Sequence, residues 1–349
     1  MADILGLGVT HSPPMLGLAE NMGWAFRQAL ADKGLPESLR DPAGWPAPLR
    51  REWSDDDGLA AAVAHRAEVA AGFRRARKVL DEFHPDAVLI WGDDQYENFK
   101  EDVVPAFCVQ AYGDVECHPW QRSRFSSNAW GEDRDKGFLI RGHPQAAKFV
   151  ASRLLDEGFD IAYAYRPLHH PDLAHAFLNT VLLLDIDRAG FPYPCVPVSV
   201  NCYGRALISQ RGGLGRLDLP AAQLDPPSPS PQRCLELGAA IARAFVNSPW
   251  RVALVASSSW SHSFLTRKHG YLYPDVAADR RLYEALRRGD YGTWRQTSLA
   301  ALEDAGQHEV LNWYCLVGAM EALGRTPDEC DYAETWAFVA GKCMAVWRP

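Results

Sequence analysis

The stretch Asp86-Ala-Val-Leu-Ile-Trp91-Gly-Asp-Asp-Gln95 decides how the chain folds. Its first half is apolar without alternation, as a strand covered on both faces requires, and it breaks off at a glycine and three polar residues. Upstream, the Ala-rich run 59–83 reads as one long helix, with Ser54 and Asp55 to Asp57 as its capping side chain and early acids. The same succession recurs along the chain. Strands are expected at 3–9, 161–165, 195–200, 251–257 and within 336–346, and helices at 18–33, 144–157, 172–184 and 310–323. Ser230-Pro231 opens a further helix to about residue 245, since proline suits the first helical position. Pro36, Pro42, Pro46 and Pro48 forbid one regular element across that region. Strands separated by helices imply an α/β fold, with a central, mostly buried sheet covered by helices on both faces. A single domain over 1–349, with insertions at about 34–57 and 118–143, accounts for the pattern. Functional residues of such sheets collect in the loops at strand ends.

Composition narrows the function. The 349 residues are 47% hydrophobic and 23% charged, which suits a folded chain and excludes a disordered one. A net charge of −8 argues against nucleic-acid binding, which needs a basic footprint. No apolar run reaches the roughly 18 residues of a membrane span, and the first residues carry no basic, then apolar, secretory pattern. A cytoplasmic enzyme is therefore expected. The eight cysteines are scattered with no CxxC pair, so free thiols are expected rather than a disulfide framework or zinc ribbon.

Most of the 11 histidines read as structural. His65 lies within the long helix, His84 at its end, and His118, His143 and His269 in loops without a convergent partner. His11 differs: it closes the first strand and is held by Ser12-Pro13-Pro14. His262 ends the run Ala256-Ser-Ser-Ser-Trp-Ser-His262, where small residues let backbone approach a ligand. Glu309 begins an apolar helix, where it serves either the helix dipole or a metal. Two histidines and a carboxylate on separate elements form the ligand set of non-haem ferrous oxygenases. Gly212-Gly213-Leu214-Gly215-Arg216 lacks the Gly-Lys-Ser/Thr of a phosphate loop and reads as a turn. No GxSxG elbow or HExxH pair is present.

Taken in order, these segments resemble the class III extradiol ring-cleavage dioxygenases, whose type is the β subunit of protocatechuate 4,5-dioxygenase. Gly6-Leu-Gly-Val-Thr-His11-Ser-Pro resembles the family's opening strand and first iron-binding histidine. The run ending at His262 resembles that bearing an active-site histidine, and Gln307-His-Glu309-Val-Leu-Asn-Trp313 the segment with the iron-binding carboxylate. A further active-site histidine lies ahead of a Pro-x-x-x-Asn strand end in the family. Pro197-Val-Ser-Val-Asn201 places it at His175, with His169 and His170 as neighbouring competitors. The resemblance, which covers most of the chain, implies Fe(II) held by His11 and Glu309, with His175 and His262 as catalytic acid–base groups. Its implied partners are O2 and a small aromatic diol or aminophenol, with no nucleic acid or membrane, and homodimerisation left open.

One position departs from the pattern. Where the family has a ligand histidine in an Asn-Asp-His sequence, this chain has Gly92-Asp93-Asp94-Gln95. Gln95 is the expected third metal ligand, with substitution by Asp93, Asp94 or Glu97, or a metal-free site, as alternatives. Asn201, Tyr203 and Arg205, just past a strand end, are expected to meet the substrate, and the two insertions to cover the pocket. The competing functions are a Memo-like binding or scaffold protein of the same fold and a metal-dependent hydrolase.

Overall fold

A computed structural model describes residues 3–205, 207–213 and 219–349. In chain order its strands are β1 (Ile4–Val9), β2 (Ala87–Asp93), β3 (Phe107–Gln110), β4 (Val115–Cys117) and β5 (Phe138–Ile140). β6 (Ala162–Ala164), β7 (Cys195–Val200), β8 (Val252–Ser257), β9 (Glu329–Ala333) and β10 (Lys342–Trp347) complete the set. Eight of them form one sheet in the order β6-β3-β7-β2-β8-β1-β10-β9, while β4 and β5 pair separately. The central four, β7, β2, β8 and β1, run parallel, and antiparallel pairing begins at β3 on one side and β10 on the other.

Every residue of β1, β2, β7 and β8 is buried, which is why these strands read as unbroken apolar runs. Successive side chains still take opposite faces. In β2, Leu89 and Trp91 pack with helices Pro144–Asp156, Pro231–Val246 and Val310–Ala322. Val88 and Ile90 pack with helices Leu59–Phe83 and His175–Leu184. Helix Val310–Ala322 is apolar all round because it lies between the sheet and helix Pro231–Val246. The two helices cross at Gly238 and Gly318, where a Cβ would meet backbone of Cys315 and Leu235 at 1.7 and 2.1 Å.

Parallel pairing brings four strand ends to one edge. Val9 stands opposite Ser257 and Asp93 opposite Val200, so the loops bearing His11, Asp93 to Glu97, Asn201 to Tyr203 and Ser258 to His262 emerge side by side.

Several local expectations need correction. The expected 18–33 helix is a short 3-10 turn followed by helix Trp24–Ala31. Ser54 ends the preceding helix, Ala47–Trp53, at φ 49°; Asp56 instead accepts from Ala60 N at 2.8 Å at the start of the long helix. The 34–57 insertion does not cover the pocket. Its Trp45 and Trp53 pack on Phe26, and Glu52 accepts from the Trp336 and Ala337 amides at 2.5 and 2.9 Å. Strands β3, β4, β5 and β9 carried too little apolar periodicity to be read in advance. Gly212 and Gly213 do lie in a turn, while Leu214 to Arg216 fall outside the described residues. No described helix is long and apolar enough to cross a membrane, and all eight cysteines are free.

Candidate metal centre and its pocket

His11 and Glu309, from opposite ends of the chain, meet with His11 Nε2 3.4 Å from Glu309 Oε2. His11 follows β1, and its Nδ1 lies 3.0 Å from the Ser257 carbonyl on β8. A carbonyl only accepts, so Nδ1 carries the proton and Nε2 presents a lone pair to the centre. Glu309 precedes helix Val310–Ala322 but makes no side-chain cap; its carboxylate turns to His11 instead of the helix start. The Ser258 hydroxyl, donating to the Glu309 carbonyl at 2.8 Å, and the Asn312 amide, donating to Ser257 O at 3.4 Å, knit the β8 loop to this helix.

His262 is held in the same way. Its Nδ1 donates to Trp260 O at 2.8 Å and its Nε2 lies 3.4 Å from Glu309 Oε1. Burial pushes its pKa down to about 3, so the ring is neutral with Nε2 open as an acceptor. His175 is its opposite. Burial alone would lower its pKa, but Glu97, with Oε2 2.8 Å from Nδ1, reverses this and raises it to about 9. The His11 and His175 rings meet edge to face at 5.1 Å between centroids. His170 also lines the pocket, whereas His169 pairs with Asp102 at 2.9 Å away from it.

The segment after β2 divides its polar residues among separate tasks. Asp94 accepts from the Glu97 and Asn98 amides at 2.8 and 2.9 Å and so shapes the loop. Tyr96, at φ 63°, turns the chain in the left-handed region between Gln95 and Glu97, both of which line the pocket. Gln95 Nε2 donates to Tyr203 Oη at 3.0 Å and to Glu309 Oε1 at 3.2 Å, and the Tyr203 hydroxyl donates to that same carboxylate oxygen. Asp93 Oδ1 lies 3.5 Å from His11 Nε2, and neither Asp93 oxygen has a hydrogen-bond partner. Glu309 Oε2 is equally unpartnered. Burial raises both acids' pKa values, Asp93 to about 6, and Asp93 repels Glu309 further upward.

Of the substrate-contact expectations, Tyr203 reaches the centre but is fully buried behind it. Asn201 does not line the pocket; its Oδ1 turns back to accept from Gly204 N at 3.0 Å. Arg205 is exposed and outside the lining, since the chain has already turned away from the strand edge. Asp93 and the Glu97 partner of His175 gained no fixed role from sequence. The available signal was the acid density of Asp93, Asp94 and Glu97, which does not say which carboxylate points inward.

The pocket over the centre has a volume of about 310 Å³, enough for a small aromatic molecule. His11, Gln95, Glu97, His175, His262 and Glu309 line its floor, and Trp24, Trp120, Phe125 and Phe264 its apolar walls. Trp120 and residues 122–125 come from the 118–143 insertion, which does cover the site.

Sequence comparison agrees with this geometry. Residues 218–337 match the family described as the catalytic LigB subunit of aromatic ring-opening dioxygenase. A 2,3-dihydroxyphenylpropionate/2,3-dihydroxicinnamic acid 1,2-dioxygenase from Burkholderia vietnamiensis is 27% identical over 310 residues, 76% of this chain and 85% of that protein. An enzyme of the same name from Paraburkholderia phymatum is also 27% identical, with the same coverage. One from Photorhabdus laumondii is 26% identical over 58% of this chain and 51% of its own length. Over most of its length the chain is therefore similar to class III extradiol dioxygenases, and the LigB match spans the segment that carries His262 and Glu309.

Proposed function

We propose that this protein is an Fe(II)-dependent extradiol dioxygenase that opens the ring of a catechol-type diol or aminophenol with O2. The observation that carries the reading is the meeting of His11 Nε2 and Glu309 Oε2 at 3.4 Å beneath an aromatic-walled pocket. That spacing suits donors about 2.1 Å from one shared ion, and a buried, unpartnered carboxylate oxygen is the group such an ion satisfies. His11 and Glu309 would hold the metal. Fe(II) would supply the one-electron chemistry that lets a ring react with O2.

The protein's own residues divide the rest of the work. His262, neutral with Nε2 open, would take the proton of a substrate hydroxyl. His175, protonated beside Glu97, would present an N–H from its Nε2 and return a proton on the other side of the ring. Two titratable groups pushed in opposite directions support this division into base and acid. Trp24, Trp120, Phe125 and Phe264 would stack on the ring and keep water out. Tyr203 lies behind the Glu309 carboxylate and orients it.

The test is anaerobic loading with Fe(II), followed by oxygen uptake with a panel of catechols and 2-aminophenols. A yellow ring-opened product with one O2 consumed per ring is expected. A loaded protein that consumes no O2 with any diol or aminophenol sinks the reading.

A further inference from the structure

We propose that Asp93, not Gln95, is the third protein donor, giving this chain a metal site of one imidazole and two carboxylates. The inference rests on the metal-dependent reading above and concerns which side chain replaces the missing histidine. Of Asp93, which ends β2, and Asp94, Gln95 and Glu97 after it, three have partners. Asp94 is committed to backbone amides, Glu97 to His175, and Gln95 points its amide nitrogen at Glu309 and Tyr203. An amide nitrogen directed at a carboxylate is a donor and cannot ligate a metal. Asp93 alone keeps both oxygens free, is fully buried, and stands 3.5 Å from His11 Nε2.

A second geometric relation points to the same residue. Donor atoms of His11, Asp93 and His175 all lie within 4.8 Å of one another, while Glu309 adjoins His11 from another direction. His11 takes part in both contacts, and Asp93 is the carboxylate of the three-residue cluster. Because Glu309 Oε2, like both Asp93 oxygens, is buried without a hydrogen-bond partner, we take Glu309 as the third member and leave His175 to proton transfer.

The donor set then carries two negative charges and more hard oxygen than a two-histidine site. Oxygen donors favour Mn(II) and Fe(II) relative to the later, nitrogen-preferring metals. Gln95 becomes a group that orients the Glu309 carboxylate through its 3.2 Å hydrogen bond.

Anaerobic calorimetric titration with Mn(II), Fe(II) and Ni(II) tests this without turnover. Wild type is expected to bind one equivalent of Mn(II) or Fe(II), and Asp93→Asn to lose at least about tenfold in affinity for both. Asp93→His should bind again, with its Ni(II)-to-Mn(II) preference raised at least about tenfold. Thermal melting checks folding, because Asp93→Asn removes a buried, unpaired charge and should leave the metal-free protein no less stable. A smaller loss in Asp93→Asn, or an unchanged metal preference in Asp93→His, overturns the inference while leaving the metal reading intact. Fe(II) affinity raised about tenfold or more by Gln95→His would reassign the ligand position to Gln95. Failure of wild type to bind any of the three metals overturns both readings.

Discussion

Asp279 and Asp93 are both fully buried carboxylates, yet one is satisfied and the other is not. Asp279 accepts from Ser261 N at 3.0 Å, Gln307 Nε2 at 2.7 Å and Tyr332 Oη at 2.7 Å. Asp93 accepts from nothing. Burial raises both pKa values, Asp279 to about 7 and Asp93 to about 6. Asp279, however, has three donors within 3.0 Å, whereas the Gln95 amide near Asp93 falls outside hydrogen-bond geometry. Its function is mechanical: by gripping Ser261 it holds the loop that presents His262. The comparison separates a carboxylate whose donors are in place from one that, on the proposal above, a cation would satisfy. A buried anion left without donors is costly, and a divalent ion removes that cost.

The largest effects should come from breaking the unsatisfied side. His11→Ala or Glu309→Ala should lower metal affinity by about 100-fold or more, with turnover lost in parallel; calorimetry and oxygen uptake check this. His262→Ala and His175→Ala should cost about 10²–10⁴ in kcat while most of the metal remains bound. Metal lost from either variant as severely as from His11→Ala would mean that the histidine is a ligand.

Stability should respond in the reverse order. Asp279→Ala orphans three donors and should destabilise the protein by about 3 kcal/mol or more in urea unfolding. Asp93→Asn, without metal, should leave stability unchanged or raise it.

The smallest effect is a pH dependence. Asp93's folded pKa, near 6, lies above the unfolded value near 3.8, so its contribution is full below about pH 3.8 and is lost as pH rises through about 6. Metal-free wild type should therefore lose stability over that window relative to Asp93→Asn. Saturating metal, which binds the ionised form, should reverse the difference, because wild type then gains stability as Asp93 ionises. Parallel pH profiles for the two metal-free proteins would remove Asp93 from the account.

Much of the scaffold was legible in residue order. Helix Leu59–Phe83 and strand Cys195–Val200 fall at the expected residues, because long helical periodicity and unbroken apolar runs are local signals. The Ser230 N-cap and Pro231 were equally plain; Ser230 Oγ accepts from Arg233 N at 3.2 Å. Strands β3 and β9 are short and lie towards the sheet's edges, so pairing with neighbours defines them more than their own composition does. His11, His262 and Glu309 could be picked out because each ends or begins a strongly patterned element.

The sequence by itself determined that strand ends would carry histidines and acids, and that one position of the ligand pattern held an amide. Only the tertiary structure decided which acid faces His11. The choice among Asp93, Asp94, Gln95 and Glu97 depends on partners far away in the chain: His175 for Glu97, and Tyr203 and Glu309 for Gln95. Side-chain direction in a loop is set by what the loop packs against, and those contacts exist only once β1, β2, β7 and β8 are aligned in parallel. The same alignment turned Arg205 to solvent and brought the 118–143 insertion, but not 34–57, over the pocket.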